Sequence, residues 1–151
     1  MNTIHYAGFW KRFIAAIIDF LILYIIYFII ITPFLSLLGL SILSNNYSTG
    51  ITSGLIGVGV LTYFSLIIVS WLYYILLESG PRQSTFGKRA MGIKVTDLNG
   101  NRISIGQATG RYFGKIISAL ILYVGFLMAG FTEKKQALHD IMASCLVVDN
   151  D

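Results

Sequence analysis

The sequence predicts an all-α membrane protein: two full transmembrane helices, a third apolar segment that is short, re-entrant or interfacial, and a small cytoplasmic β-hairpin. Three observations predict it. Hydrophobic residues make up 56% of the 151-residue chain and charged ones only 12%, against roughly 45–50% and about 25% in soluble domains. Two apolar runs each supply the ~20 residues that cross a bilayer core. The basic residues gather beside those runs, as cytoplasmic flanks do.

The first span covers about 13–35. Phe9 and Trp10 stand beside Lys11 and Arg12 at its mouth, and rings with cations mark a membrane interface. Pro33 is expected to end or bend this helix because it lacks a backbone donor. The connection to about Gly54 carries no charged residue, which suits the outer side. The second span covers about 55–77, with Ser53 and Gly57 as a small-residue pair for close helix packing. Trp71, Tyr73 and Tyr74 mark the return to the first interface.

A hydrophilic loop, 78–104, follows. Arg82, Lys88, Arg89, Lys94 and Arg102 oppose Glu78 and Asp97; with Lys11 and Arg12 they put the N-terminus and this loop in the cytoplasm. Ile93–Asp97 and Arg102–Ile105 alternate with period two around Asn99-Gly100, a hairpin signal.

The third apolar helix, about 105–131, starts at a capping-box spacing, Ser104 and Gln107. Its apolar positions recur at helical period. A stripe of Gly106, Gly110, Gly114 and Ser118 is suited to helix packing. The next stripe, Gln107, Arg111 and Lys115, is expected to stay in water or headgroups. Its fully apolar part, from Ile116 to Phe131, reaches only about 24 Å as helix, and Lys134 and Lys135 follow it. Length and charge together favour a segment that dips in and returns over one that crosses. A C-terminal helix and strand are expected over 133–149, with Thr132 as N-cap. If the tail is cytoplasmic, the Cys145–Val148 strand can pair with the hairpin.

The formal charge of +4 is accounted for by this membrane orientation, so nucleic-acid binding is not expected. One cysteine, Cys145, allows neither an intrachain disulfide nor a cysteine-rich metal site. His5 and His139 are too few and too far apart to argue for a metal. Gly80 to Lys88 is not a phosphate loop: its glycines are too far apart, and Arg89 stands where Ser or Thr is required. No hydrolase motif occurs. Neither an enzyme activity nor a cofactor is expected.

Several of these residues form a recognisable set: Arg12 and Asp19 in the first span, Ser84–Val95 with Gly87, Lys88 and Gly92, and Gln136-Ala137-Leu138-His139-Asp140 before a Val-rich end. Over essentially the whole chain, 1–151, this resembles the RDD family of small bacterial membrane proteins, named for one arginine and two aspartates. By position these are Arg12, Asp19 and Asp140. Phe86 departs from the proline the family often has before Gly-Lys, which affects the local turn. The resemblance implies a single multi-pass domain of the cytoplasmic membrane. It also implies a link to cation/proton antiport, reported for some members.

Arg12 and Asp19 share a helix face about 10.5 Å apart, so they cannot pair directly, and Asp140 is open as a partner for Arg12. An intramembrane acid points to an ion or proton site; a structural pair locking the first helix to the tail is the alternative. His139 is the natural group to titrate near neutral pH. Adjacent helical positions put it about 100° from Asp140, so the two are not expected to act as one unit. Two functions follow. One is monovalent cation or proton transport through a homo-oligomer, since two spans cannot enclose a path. The other is a non-transport accessory or scaffold protein that presents its hairpin and tail to a partner.

Overall fold

The structure, a computed structural model, describes residues 5–44, 50–121 and 124–150; side chains are described from Ile56 onward in the second long helix. The side chain of Ser53, expected to pack against a neighbouring helix, and residues 45–49 of the uncharged connection lie outside the described residues. Two helical stretches are long and apolar enough to cross a membrane, Phe9–Leu37 and Ile56–Glu78.

Pro33 does not end the first of them. Helix α1 (Phe9–Ile26) passes through a π-helical turn, Tyr27–Ile31, into α2 (Thr32–Ser44). Thr32 N donates to Tyr27 O, five residues back. A proline ring crowds the carbonyl four residues before it and brings no N–H; one widened turn accommodates both effects. Helix α3 covers Gly50–Glu78.

Contacts divide the chain into two compact units. Residues 20–70 carry the apolar middle of α1–α3. Phe28, Phe34, Tyr63 and Phe64 are each more than half exposed there, as lipid-facing side chains are when the surrounding solvent is hydrocarbon.

The other unit, residues to Asp19 and from Trp71 on, holds the polar chemistry. Its helices are α4 (Phe86–Ala90), α5 (Ile105–Leu120), α6 (Val124–Leu127) and α7 (Leu138–Met142), with a 3-10 turn at Met128–Gly130. Strand β1 (Ile93–Asp97) pairs antiparallel with β2 (Cys145–Asp149), Val95 opposite Val147. On the other edge of β2, Ala7 N donates to Val147 O at 3.0 Å and Asp149 N to His5 O at 2.9 Å. Ala7, Ile93, Val95, Ile103, Cys145 and Val147 form the small core beneath.

The small antiparallel sheet is thus present, but its second strand is the tail. Arg102–Ile105, expected as the return strand, is not one. The Asn99-Gly100 turn does form: Gly100 has φ +84°, and Asp97 Oδ1 accepts from Asn99 N and Asn101 N at 2.8 and 2.7 Å. Beyond it the capping box wins. Ser104 Oγ accepts from Gln107 N at 3.1 Å and Gln107 Oε1 from Ser104 N at 3.0 Å, so the chain turns into α5 before a strand can extend.

The tail helix also differs from expectation, beginning at Leu138 rather than at residue 133. Thr132 does not cap it. Its hydroxyl donates to Gln136 O at 2.9 Å, Lys135 takes φ +48°, and Ala137 holds the N-cap position.

The third apolar segment returns. α5 and the Val124–Gly130 stretch are bent by 117° relative to one another. The chain enters the segment from β1 and leaves it toward β2, and those strands are hydrogen-bonded. Lys134 and Lys135 lie on the stretch that leads back toward β2.

Candidate functional site

Helix α5 has an inverted amphipathicity. Ala108, Arg111, Gly114 and Ser118 are buried, while Ile105, Phe113, Ile116 and Leu120 are 65%, 49%, 46% and 77% exposed. The expectation that Arg111 and Lys115 stay in water or headgroups is overturned. Where hydrocarbon is the solvent, the apolar face points outward and the polar face packs inward.

That inward face builds an ion ladder. Arg12 Nη1 lies 2.5 Å from Asp140 Oδ2, and Arg111 Nε lies 2.7 Å from Asp140 Oδ1. Arg111 Nη1 reaches Glu78 Oε2 at 3.2 Å. Glu78 Oε1 takes Lys88 Nζ at 2.5 Å and faces Lys115 Nζ at 3.6 Å. Arg111 is the central rung, joining the end of α3 to α7 and, through Asp140, to α1. A guanidinium fork can serve two carboxylates at once, which an ammonium on a flexible stem does poorly. Lys115 Nζ also sits 3.7 Å from the centre of the Tyr74 ring, a cation–π contact.

Asp140 is fully buried and also accepts from Ala137 N at 3.1 Å. Burial alone would raise its pKa; Arg111, then His139 and Arg12, reverse that and hold the carboxyl well below its usual range. Burial, with Arg111 and Lys115 nearby, pushes the Lys88 ammonium down to about 7 despite Glu78. His139, expected to titrate near neutral pH, does not. It is 5% exposed, its Nε2 lies 3.4 Å from Asp140 Oδ1, and burial pushes its pKa down to about 3. The imidazole is therefore neutral at physiological pH. Burial raises the Cys145 thiol to about 11, so it is not a thiolate.

Asp19 has a different role from the other acids. Its carboxylate accepts from Tyr73 Oη at 2.7 Å, Thr85 Oγ1 at 2.6 Å and Gly87 N at 2.8 Å. Among the described residues these partners are neutral donors, and Asp19 does not join Arg12 and Asp140 in a single charge arrangement. Thr85 Oγ1 in turn accepts from Lys88 N as the N-cap of α4. Asp19 thus fastens α1 to α3 and to the first turn of α4.

The Gly-Lys-x-x-x-Gly spacing now has a reason. A Cβ on Gly87 would lie 2.1 Å from Ala15 O and 2.8 Å from Asp19 Oδ1; only a bare backbone comes that close. Lys88 follows at once and turns inward to Glu78. Gly92 holds φ +63°, the left-handed exit after α4 that favours glycine. In the packing stripe, a Cβ on Gly114 would come within 3.0 Å of His139 Cβ, and Ser118 packs under Gly125. Gly57 and Gly110 have open space before them, and the nearest atom to a Cβ on Gly106 is the Ser104 hydroxyl at 3.7 Å, so among the described residues these three close no tight contact.

Sequence reasoning missed Glu78, Arg111 and Lys115 as members of the site. The available signal was Arg111 and Lys115 four apart, beside the small-residue stripe on α5. The ladder and Asp19 together hold Arg12, Lys88, Arg111 and Lys115 against Asp19, Glu78 and Asp140, so with His139 neutral the balance is one positive charge when Lys88 is protonated and zero when it is not. Among the described residues no group of acids, histidines and cysteine is placed to hold a metal ion.

A model of the RDD family matches residues 6–144. The chain is 42% identical over 149 residues to "Uncharacterized protein YxaI" of Bacillus subtilis (strain 168), covering 94% of this chain and 96% of that one. It is 28% identical over 149 residues to "Uncharacterized membrane protein YteJ" of the same strain, covering 95% and 80%. Over 88 residues it is 32% identical to "Proline-rich antigen homolog" of Mycobacterium tuberculosis (strain CDC 1551 / Oshkosh), covering 55% of this chain and 37% of that one. No solved structure matches.

Proposed function

The chain belongs to the RDD family, and from that premise we propose that it is a non-enzymatic accessory or scaffold protein of the cell membrane rather than a cation or proton carrier. The observation that carries this reading is how the buried acids are used. Asp19 is taken up by three donors, and Glu78 and Asp140 by four cations. A cation pathway needs spare negative charge along it, whereas the three carboxylates here are all engaged and the cluster carries no net negative charge whether Lys88 is protonated or not. A transport role would also need several copies to enclose a path.

In the scaffold reading the ladder and the Asp19 contacts are structural. They lock the N-terminal helix, the Gly-Lys loop and the tail into one block carrying the β1–β2 sheet. The basic flanks support a cytoplasmic position for that block, in which Lys94, Arg102 and the Asn99-Gly100 turn would meet an acidic partner surface.

The deciding test is ion flux in liposomes holding only this protein. Wild-type protein should give sodium, potassium and proton flux equal to that of empty vesicles. Flux above that level, lost in Asp19→Asn while insertion is retained, would establish the carrier reading instead.

A further inference from the structure

Above the ladder lies a cavity of about 550 Å³, within the roughly 300–1,000 Å³ of sites that take small ligands. Arg12, Lys88, Arg111 and Lys115 line it. Among the described residues the only acid on its lining is Asp19, whose carboxylate already accepts three hydrogen bonds. Glu78 and Asp140 are not on the lining. His139 and Tyr74 also line it, and the rest of the wall is apolar, including Phe9, Phe13 and Leu127.

We propose that this cavity binds an acidic phospholipid taken from the surrounding bilayer, its headgroup phosphate toward Lys115 and Arg12 and its glycerol and first methylenes against the apolar wall. Charge complementarity identifies the anion. Four cations, Lys88 and Arg111 buried and Arg12 and Lys115 partly so, share three acids, and two of the cations are incompletely served. Arg12 Nη2 is buried without a hydrogen-bond partner, and Lys115 stands 3.6 Å from its carboxylate with its side chain 22% exposed. A buried charged donor without an acceptor is costly, and a phosphate oxygen relieves that cost.

The wall identifies the lipid. Phe13 and Leu127 on the cavity lining are each 47% exposed, so the apolar surface of the cavity runs out onto the face of a membrane-spanning helix. A soluble anion would satisfy the cations and leave that wall wet; a phospholipid satisfies both. Binding of this kind is separate from the scaffold role, and its failure would leave the flux result standing.

The test titrates detergent-purified protein with short-chain phosphatidylglycerol, short-chain phosphatidylcholine and inorganic phosphate, reading thermal stabilisation, which follows binding by mass action. Phosphatidylglycerol should stabilise at a concentration at least tenfold lower than either of the others. Lys115→Gln should abolish that preference. Ala16→Phe, which fills the cavity while leaving all four cations in the chain, should abolish it too, so a folding defect in one variant does not decide the result. Equal stabilisation by the two lipids, phosphatidylglycerol preference surviving in both folded variants, or full stabilisation by inorganic phosphate alone would each overturn the proposal.

Discussion

Arg111 and Asp140 form the centre of the charged layer: Arg111 Nε lies 2.7 Å from Asp140 Oδ1, and both side chains are at most 2% exposed. The same guanidinium reaches Glu78, so removing it strands two buried carboxylates at once. Losing one partner of a buried pair costs about 3–5 kcal/mol. Arg111→Met is therefore expected to lower thermal stability by at least that much, measured in detergent by the loss of a cooperative transition. Arg111→Lys should recover only part, since an ammonium cannot fork between Glu78 and Asp140.

The shared rung also governs charge swaps. Arg12 and Asp140 look exchangeable as a pair, but the guanidinium introduced by Asp140→Arg would face Arg111. The double variant Arg12→Asp, Asp140→Arg is expected to be no more stable than the worse single variant. Rescue by the swap, read from the melting temperature, would mean that Arg111 is not coupled to the pair.

Much of this was legible in advance, and the limits have physical causes. The spans could be read because length and hydropathy act on the whole helix. The Arg12–Asp140 contact was open from the sequence because a charge at the mouth of a span needs a partner. The orientation of α5 was not legible: period 3.6 gives two faces, and which one turns inward depends on whether water or hydrocarbon surrounds it. Glu78 looked like a flanking acid because its partners come from α4 and α5, ten and more residues away. The return strand failed for a local reason, since Ser104 suits both a strand end and a helix cap, and the cap gains two hydrogen bonds.

Gly87 and Gly110 offer a matched comparison. Gly87→Ala places a methyl against Ala15 O and the Asp19 carboxylate; overpacking of this kind costs about 1–3 kcal/mol or more, and here it also separates Asp19 from Gly87 N. Gly110→Ala meets nothing within 4 Å and replaces a poor helix former, a gain of up to about 1 kcal/mol. Melting temperatures of the two variants should move in opposite directions. A fall for both would mean that Gly110 is covered in the native assembly.

Acid should loosen the tail helix through His139. Its pKa is about 3 in the folded protein against 6.5 when unfolded, so between those values the unfolded chain binds the extra proton. Stability is then greatest above pH 6.5 and falls as the pH drops toward 3. Asp140, whose pKa is lowered by folding, adds to the loss at the acid end of that range. The slope of melting temperature against pH from 6.5 to 4 should flatten in His139→Gln. An unchanged slope would assign the acid sensitivity to other groups.

The return of the third apolar segment has a direct test in sidedness. Asn99 lies in the turn after β1, and Asn150 follows β2 and donates its N–H to Gly92 O at 2.7 Å. Both residues are exposed. In a Cys145→Ala background, Asn99→Cys and Asn150→Cys should react with a membrane-impermeant thiol reagent from the same side of right-side-out vesicles, and only after permeabilisation if that side is the cytoplasm. Labelling of Asn150→Cys alone in intact vesicles would mean that the segment crosses. It would also separate β1 from β2 by a bilayer and deny Arg12 its contact with Asp140, so this one measurement bears on the sheet, the ladder and the lipid cavity together.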